Sequence, residues 1–224
     1  MNIALFGEQV ETLRSDVERA GFRVVNENPD VVISFGGDGT FLRSEARFPT
    51  VPKLLIKNSA TCTLCTTLPL DHVLKRLSEK AYTVRTILKL QVETAGVVWY
   101  ALNDVVVRNK NPRHAVRFSL HTNTQTFSNI IGDGVVVATA LGATGYFQSI
   151  TRKTFESGIG VAFNNTAEHL APLFLPEQET SLTVEIHRGP ALVYVDNFEG
   201  EAVIHDGEKV LITLSEKPAH LLVF

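Results

Sequence analysis

The chain is short of the residues that staple, anchor or strongly charge a protein. Its 224 residues include two cysteines, one methionine and one tryptophan. Cys62 and Cys65, in the arrangement CTLC, are too few for a disulfide framework and lack the second pair that would complete a zinc site. Two readings stay open: a redox or half-metal pair, or two small, partly buried side chains. Neither charge sign dominates. With 21 basic and 24 acidic residues the formal net charge is −3, which supplies no long-range pull toward nucleic acid or an anionic membrane. Any phosphate-bearing ligand must therefore be held by local geometry. No stretch approaches the roughly 18 consecutive apolar residues of a spanning helix. The opening MNIALFGEQVETLRSD has no basic region before its apolar run, so it does not read as a secretion signal. These absences predict a cytoplasmic protein that binds neither nucleic acid nor membrane. The seven histidines are scattered, with no HExxH and no metal-ligand spacing, so no metal ligand is expected among them.

What remains is an ordinary globular composition, 44% hydrophobic and 20% charged, long enough to bury a core without staples. At roughly 150 residues per domain, one large domain or two small ones are expected. Over the first eighty residues short apolar runs alternate with stretches of helical period. Asn2 to Phe6, Phe22 to Val25, Val31 to Phe35 and Leu54 to Ile56 read as strands. Glu8 to Ala20, Phe41 to Arg47 and Asp71 to Ala81 read as helices, the last capped by Asp71. Such alternation argues a parallel sheet covered by helices. From about Tyr82 β-branched runs broken by turns take over. Val84 to Glu93 and Val97 to Arg108 flank the turn Ala95-Gly96; Ala115 to His121 and Thr126 to Ile131 form a second hairpin; further short runs continue to Phe224. The prediction is a Rossmann-like α/β domain over 1–85 followed by an all-β sandwich over 86–211, with the tail from about 212 to 224 a candidate to return to the first domain. Trp99 is expected in the sandwich core.

The densest chemistry lies in DVVISFGGDGTFLR, Asp30 to Arg43. A buried apolar strand runs into Gly36-Gly37-Asp38-Gly39-Thr40 and then a helix. Glycines let bare N–H groups approach a ligand and the helix start adds a positive dipole end, which together suit phosphate. A phosphate cradle needs no acid, however, and Asp38 sits among the donors, where a carboxylate can orient a cation or accept a hydroxyl proton. The alternative is a tight strand-to-helix turn with Asp38 as its cap. In YALNDVVVRN, Asn103 and Asp104 interrupt a run that should be buried; a ligand would satisfy them, and so would a turn or bulge. In IIGDGVVVATALGATGYFQS, Asp133 lies between two glycines and a strand leads into the small-residue segment Thr139 to Tyr146. That segment permits close approach of another backbone or a flat ring.

In this order and spacing the segments resemble the NAD kinase family: GGDGT at 36–40, LND at 102–104, DGVVVATALGATGY at 133–146, and the closing LFLP…LVYVDN…GEKVLITLSEKPAHLL. The GGDGT loop is shared with diacylglycerol-type and sphingosine-type lipid kinases; the second and third motifs select NAD kinase. The resemblance implies transfer of the ATP γ-phosphoryl group, or one from polyphosphate, to the 2′-hydroxyl of the adenosine ribose of NAD, by a homodimer or homotetramer. It makes Asp38 the catalytic carboxylate and Gly36, Gly37, Gly39 and Thr40 the phosphate loop. Arg43 and Arg113 become phosphate contacts, Asn103 and Asp104 the ribose pair. Asp133, Thr139, Thr144, Tyr146 and Ser149 line the dinucleotide pocket, with Asp196 a late acidic position. Mg²⁺ would relieve the repulsion between ATP and a carboxylate.

The chain departs from the pattern in places. Asp104 stands where the family usually has glutamate, TALGATGY replaces TPTGSTAY, and the loop N-x-G-x-L-G-F-L reads NSATCTLC, with Leu64 in place of the aromatic. The stretch after Tyr146 also lacks the expected glycine-proline pattern. These changes spare the phosphate-transfer loop and alter the dinucleotide pocket. Two rivals follow: a kinase with another acceptor such as a lipid, and a weak or inactive relative that binds dinucleotide without turnover.

Overall fold

A computed structural model describes residues 1–60, 62–177 and 181–224; Thr61, within NSATCTLC, lies outside them. The chain is mostly β with a few short helices, and it divides into two compact units, Met1–Ile87 with Lys217–Phe224, and Leu88–Glu216.

The first unit runs β1 (Asn2–Gly7), a 3-10 turn (Val10–Leu13), α1 (Arg14–Arg19), β2 (Arg23–Val24), β3 (Val31–Gly36), α2 (Asp38–Arg47), β4 (Lys53–Lys57), α3 (Leu70–Ser78) and β5 (Thr83–Ile87). The helix expected from Glu8 to Ala20 thus starts only after Gln9, which takes a left-handed conformation with φ 57°, and its first turn is 3-10 before the α-helix begins. Its spacing still holds: Val10, Leu13 and Val17 all face the core. Two helix starts also differ from expectation. α2 begins at Asp38 rather than Phe41. α3 is preceded by Pro69, and Asp71 makes no capping hydrogen bond but sits in the first turn, where its charge still complements the helix dipole.

The second unit holds β6 (Leu90–Thr94), β7 (Val97–Ala101), β8 (Asp104–Asn109), β9 (Val116–His121), β10 (Thr126–Gly132), β11 (Gly134–Thr139), α4 (Tyr146–Thr151), β12 (Ile159–Asn164), β13 (Leu173–Leu175), β14 (Ser181–Arg188), β15 (Ala191–Val195), β16 (Ala202–Ile204) and β17 (Lys209–Leu214); the final strand β18 (Ala219–Val223) belongs to the first unit. Three sheets result, ordered β2-β1-β3-β4-β18-β5, β10-β9-β14-β17-β6-β7 and β13-β12-β11-β8-β15-β16. In the first, β1, β2, β3, β4 and β18 run parallel, and β5 pairs antiparallel with β18.

Two long apolar runs each break into two strands. Val84 to Glu93 becomes β5 and β6 in different sheets, and at the break the Lys89 carbonyl accepts from Ser215 N at 2.8 Å. Val97 to Arg108 breaks at Leu102-Asn103, for a reason that lies in the site. The turn Ala95-Gly96 has positive φ at both residues, 48° and 77°, as a tight hairpin needs. β12 and β13 form where the apolar pattern predicts no strand. Here Gly160 approaches Phe147 and Phe155 so closely that a Cβ would lie 2.7 and 2.3 Å from their rings, and this interruption hides the strand's periodicity.

β8 shows why the second unit stays together. Val105 and Val107 join one core with Leu90, Phe118, Val137, Val184 and Ile212, drawn from both antiparallel sheets. Val106, one step out of phase, joins Val136, Ala162 and Phe147 of α4 on the other face. A strand with both faces covered reads as a continuous apolar run, and that is the character of DVVVRN. Trp99 packs against the larger core, half-buried.

Candidate active site

In the first unit the apolar strand β3, between β1 and β4, ends at Gly36. A Cβ on Gly36 would stand 2.2 Å from Thr40 Oγ1, so only glycine lets the loop fold back over Thr40. Gly37 is extended (φ −119°, ψ −168°) and its carbonyl accepts from Thr40 N at 3.0 Å and Phe41 N at 3.3 Å. Asp38 is therefore the first residue of a ten-residue helix, beside amides that the helix itself leaves without partners. Gly39 has open space around it, and Arg43, one turn further on, is exposed. Gly36, Gly37, Asp38, Gly39 and Thr40 thus form one strand-to-helix loop.

The Asp38 carboxylate is already engaged by the loop after β4. Thr63 N donates to both its oxygens at 3.2 Å, Thr63 Oγ1 donates to Oδ2 at 2.8 Å, and Leu64 N donates to Oδ1 at 3.3 Å. Cys62 and Cys65 flank these donors, are partly buried, and are joined by a disulfide, which favours the redox pair of the two open readings over a half-metal site. Cys62 Sγ lies 3.3 Å from Asp38 Oδ1; a disulfide sulfur carries no proton, so this is a contact and not a hydrogen bond. Thr63 was not singled out in the sequence. Its signal there is position alone, between the two cysteines of the loop that follows β4.

In the second unit a second acid organises the backbone. Asp196, at φ 50° after β15, accepts from Leu102 N at 2.8 Å and from Asn103 N and Asp104 N at 2.7 and 3.2 Å. Its own amide donates to the Asp104 carbonyl at 3.0 Å. Three amides drawn to one carboxylate cannot serve a ladder, which is why the expected long strand breaks here. From the other side Thr139 N donates to Asn103 O at 2.9 Å, and Thr139 Oγ1 donates to Leu102 O. Gly142 N in turn reaches Thr139 Oγ1 at 3.3 Å, and a Cβ on Gly142 would stand 2.2 Å from Asn103 O. The structure brings Asn103, Asp104, Thr139 and Asp196 into one cluster.

The two carboxylates there differ in kind. Burial, with the Asp196 charge added, pushes the Asp104 carboxyl up to about 7. Burial also raises Asp196, but the three backbone donors and the Lys89 ammonium oppose it. Asp104 is thus the member of the pair that holds a proton near neutrality. Lys89, with its ammonium 5.6 Å from the Tyr100 ring centre, was missed in the sequence; a lysine inside the apolar run ILKL was its signal.

Other predicted residues lie elsewhere. Asp133 precedes β11 and takes Asn109 Nδ2 at 3.2 Å and Asn165 Nδ2 at 3.0 Å. Thr139 ends that same strand, about 20 Å away at the usual rise per residue. Arg113 is exposed, its amide held by Asn111 Oδ1 at 3.0 Å, in the turn between β8 and β9. Asp133 and Arg113 therefore lie apart from the cluster around Asn103. Tyr146 turns toward the Asp133 end, its hydroxyl accepting from Asn164 at 3.1 Å. Thr144 and Ser149 are exposed, and Ser149 Oγ donates to Tyr146 O at 2.9 Å.

Residues 102–223 match the family model described as the ATP-NAD kinase C-terminal domain. Along its length the chain is similar to the NAD kinase of Sulfurisphaera tokodaii, 27% identical over 98% of this chain and 90% of that one. It is also similar to the NAD kinase of Gemmatimonas aurantiaca, 28% identical over 92% and 77%. In fold it is similar to the crystal structure of an NAD kinase from Archaeoglobus fulgidus in complex with ATP, with a TM-score of 0.82, 23% identity and coverage of 99% of this chain and 93% of that one.

Proposed function

Because the chain belongs to the ATP-NAD kinase family, we propose that it transfers the γ-phosphoryl group of ATP to the 2′-hydroxyl of the adenosine ribose of NAD, giving NADP and ADP. The observation that carries this reading is a carboxylate, Asp38, at the first position of α2 among glycine-loop amides. In the first unit, the Gly36-Gly37 turn, the first α2 amides at Asp38 and Gly39, and exposed Arg43 receive phosphate oxygens. Asp38 accepts the proton of the attacking hydroxyl as that oxygen bonds to phosphorus and the bond to the ADP oxygen breaks.

In the second unit, Asn103 and Asp104 hold ribose hydroxyls, with Thr139 and Asp196 fixing the backbone that presents them. Near pH 7 Asp104 is part protonated, so it can both donate to and accept from a hydroxyl. Thr144, Tyr146 and Ser149 line the remainder of the dinucleotide surface. Asp133 and Arg113 take no part in the Asn103 cluster. Mg²⁺ is proposed as the counter-ion of the ATP phosphates, screening them from Asp38; among the described residues no three His, Cys, Asp or Glu side chains cluster as a cation cage. The parallel strands and flanking helices of the first unit support the Rossmann-like reading, and the shared core of the two antiparallel sheets supports the sandwich.

The test is direct. Purified protein with NAD, ATP and Mg²⁺ is expected to form NADP, and Asp38→Asn to abolish turnover while NAD binding, followed by calorimetry, is kept. NADP formation undiminished in Asp38→Asn would overturn the role of that carboxylate.

A further inference from the structure

The loop that grips Asp38 is this chain's own, since it departs from the family pattern at Ala60 and Thr63, where both glycines are gone, and at Cys62, Leu64 and Cys65. Thr63 N and Leu64 N are successive amides aimed at one anion, a nest, and the Thr63 hydroxyl adds a third donor. The disulfide closes the four-residue ring that keeps both amides facing the same way. We propose that Thr63 is a positioning residue for Asp38, and that the Cys62–Cys65 disulfide sets whether the carboxylate is held open for the acceptor hydroxyl. The proposal rests on the reading of Asp38 as the proton acceptor.

The redox dependence follows from lone pairs. An ionised carboxylate has about four acceptor sites, and three loop donors reach it through four contacts, Thr63 N being shared between the two oxygens. With the disulfide closed, the sulfur 3.3 Å from Asp38 Oδ1 has no hydrogen to give, so a substrate hydroxyl competes at Oδ1 with the shared, weaker half of the Thr63 N bond. A dithiol reductant supplies two electrons and two protons, the S–S bond breaks, two S–H groups form, and the reductant becomes a disulfide. The Cys62 thiol then donates to Oδ1 in competition with the substrate hydroxyl, and the ring that aligned the two amides is open. Both changes lower turnover, so the oxidised chain is the faster enzyme. Cys65 Sγ, 3.6 Å from Gly36 O, couples the same change to the glycine turn.

The experiment compares the full chain after oxidation and after dithiothreitol, with thiols counted by mass spectrometry. Oxidised protein is expected to show a kcat about three- to tenfold above reduced protein, the worth of one hydrogen bond, with KM for NAD unchanged. Cys62→Ala/Cys65→Ala is expected to be unresponsive to reductant. Thr63→Val is expected to lower kcat in the oxidised form and Thr63→Ser to restore it. Hydrogen exchange reads the clamp without turnover: Thr63 and Leu64 amides are protected when oxidised, and lose protection on reduction or in Asp38→Asn. Equal or higher kcat in the reduced protein, or equal exchange in both states, overturns the proposal. If Asp38→Asn is inactive while redox state changes nothing, the clamp fails and the function stands; if Asp38→Asn stays active, the function's assignment of that residue fails.

Discussion

Asp104 and Asp196 show how one fold gives two carboxylates different characters. Asp196 is buried but answered by three amides and the Lys89 charge, whereas Asp104 is buried against a like charge and lifted from its ordinary 3.8 to about 7. A raised carboxyl binds its proton more tightly in the folded chain. Its contribution to stability is therefore complete below about pH 4 and lost as pH rises through about 7. Asp104→Asn, isosteric with the protonated acid, is expected to be more stable than the parent at pH 8 by about 2 kcal/mol, allowing for partial solvent screening, and to lose that advantage at pH 5. Urea unfolding at the two pH values checks this. The same ionisation predicts a break near pH 7 in kcat/KM for NAD, absent from Asp104→Asn. Gly142 is a second test at this scale. Its Cβ would meet the Asn103 carbonyl at 2.2 Å, so Gly142→Ala is expected to cost about 1–3 kcal/mol by overpacking and to raise KM for NAD, leaving KM for ATP unchanged. None of this was legible in the sequence, where Asn103 and Asp104 were polar interruptions and Asp196 a late acid. Local sequence carries no mark of a carboxylate answering amides more than ninety residues away.

Elements were legible where their periodicity is local. β3 and the helical faces of α1 and α3 follow from apolar spacing, and the GGDGT turn from its glycines, because each is decided within one turn or one pleat. Misjudged elements are those where a distant contact intervenes: the α2 start at Asp38, the break at Leu102-Asn103 imposed by Asp196, and β12, obscured by Gly160 and the ring of Phe147. α4 owes its place to that ring. Phe147 is fully buried, with Phe155 at 5.1 Å and Phe174 at 5.8 Å between ring centres. Phe147→Ala is expected to destabilise the chain by about 3–5 kcal/mol and to loosen Tyr146, its neighbour, with the loss read by thermal unfolding and by weaker NAD binding.

At the scale of the molecule, the second unit is one uninterrupted stretch, Leu88–Glu216, while the first is assembled from two. The second has a core of its own drawn from two antiparallel sheets. Expressed alone, residues 88–216 are expected to give a β-rich circular dichroism spectrum and a cooperative melt, whereas residues 1–87 are expected to remain unfolded. The reason is β18, which pairs with β5 through five residues and with β4 at Leu221, and sends Leu222 into the first unit's core. The early sequence texture showed the first unit's parallel strands, and the tail from about 212 to 224 was a candidate to return to them; its place between β4 and β5 has no local signal. That place has a consequence for synthesis. Every residue of the second unit leaves the ribosome before the strand that completes the first, so the glycine loop and Asp38, although translated early, wait on a sheet that cannot close until translation has passed residue 219.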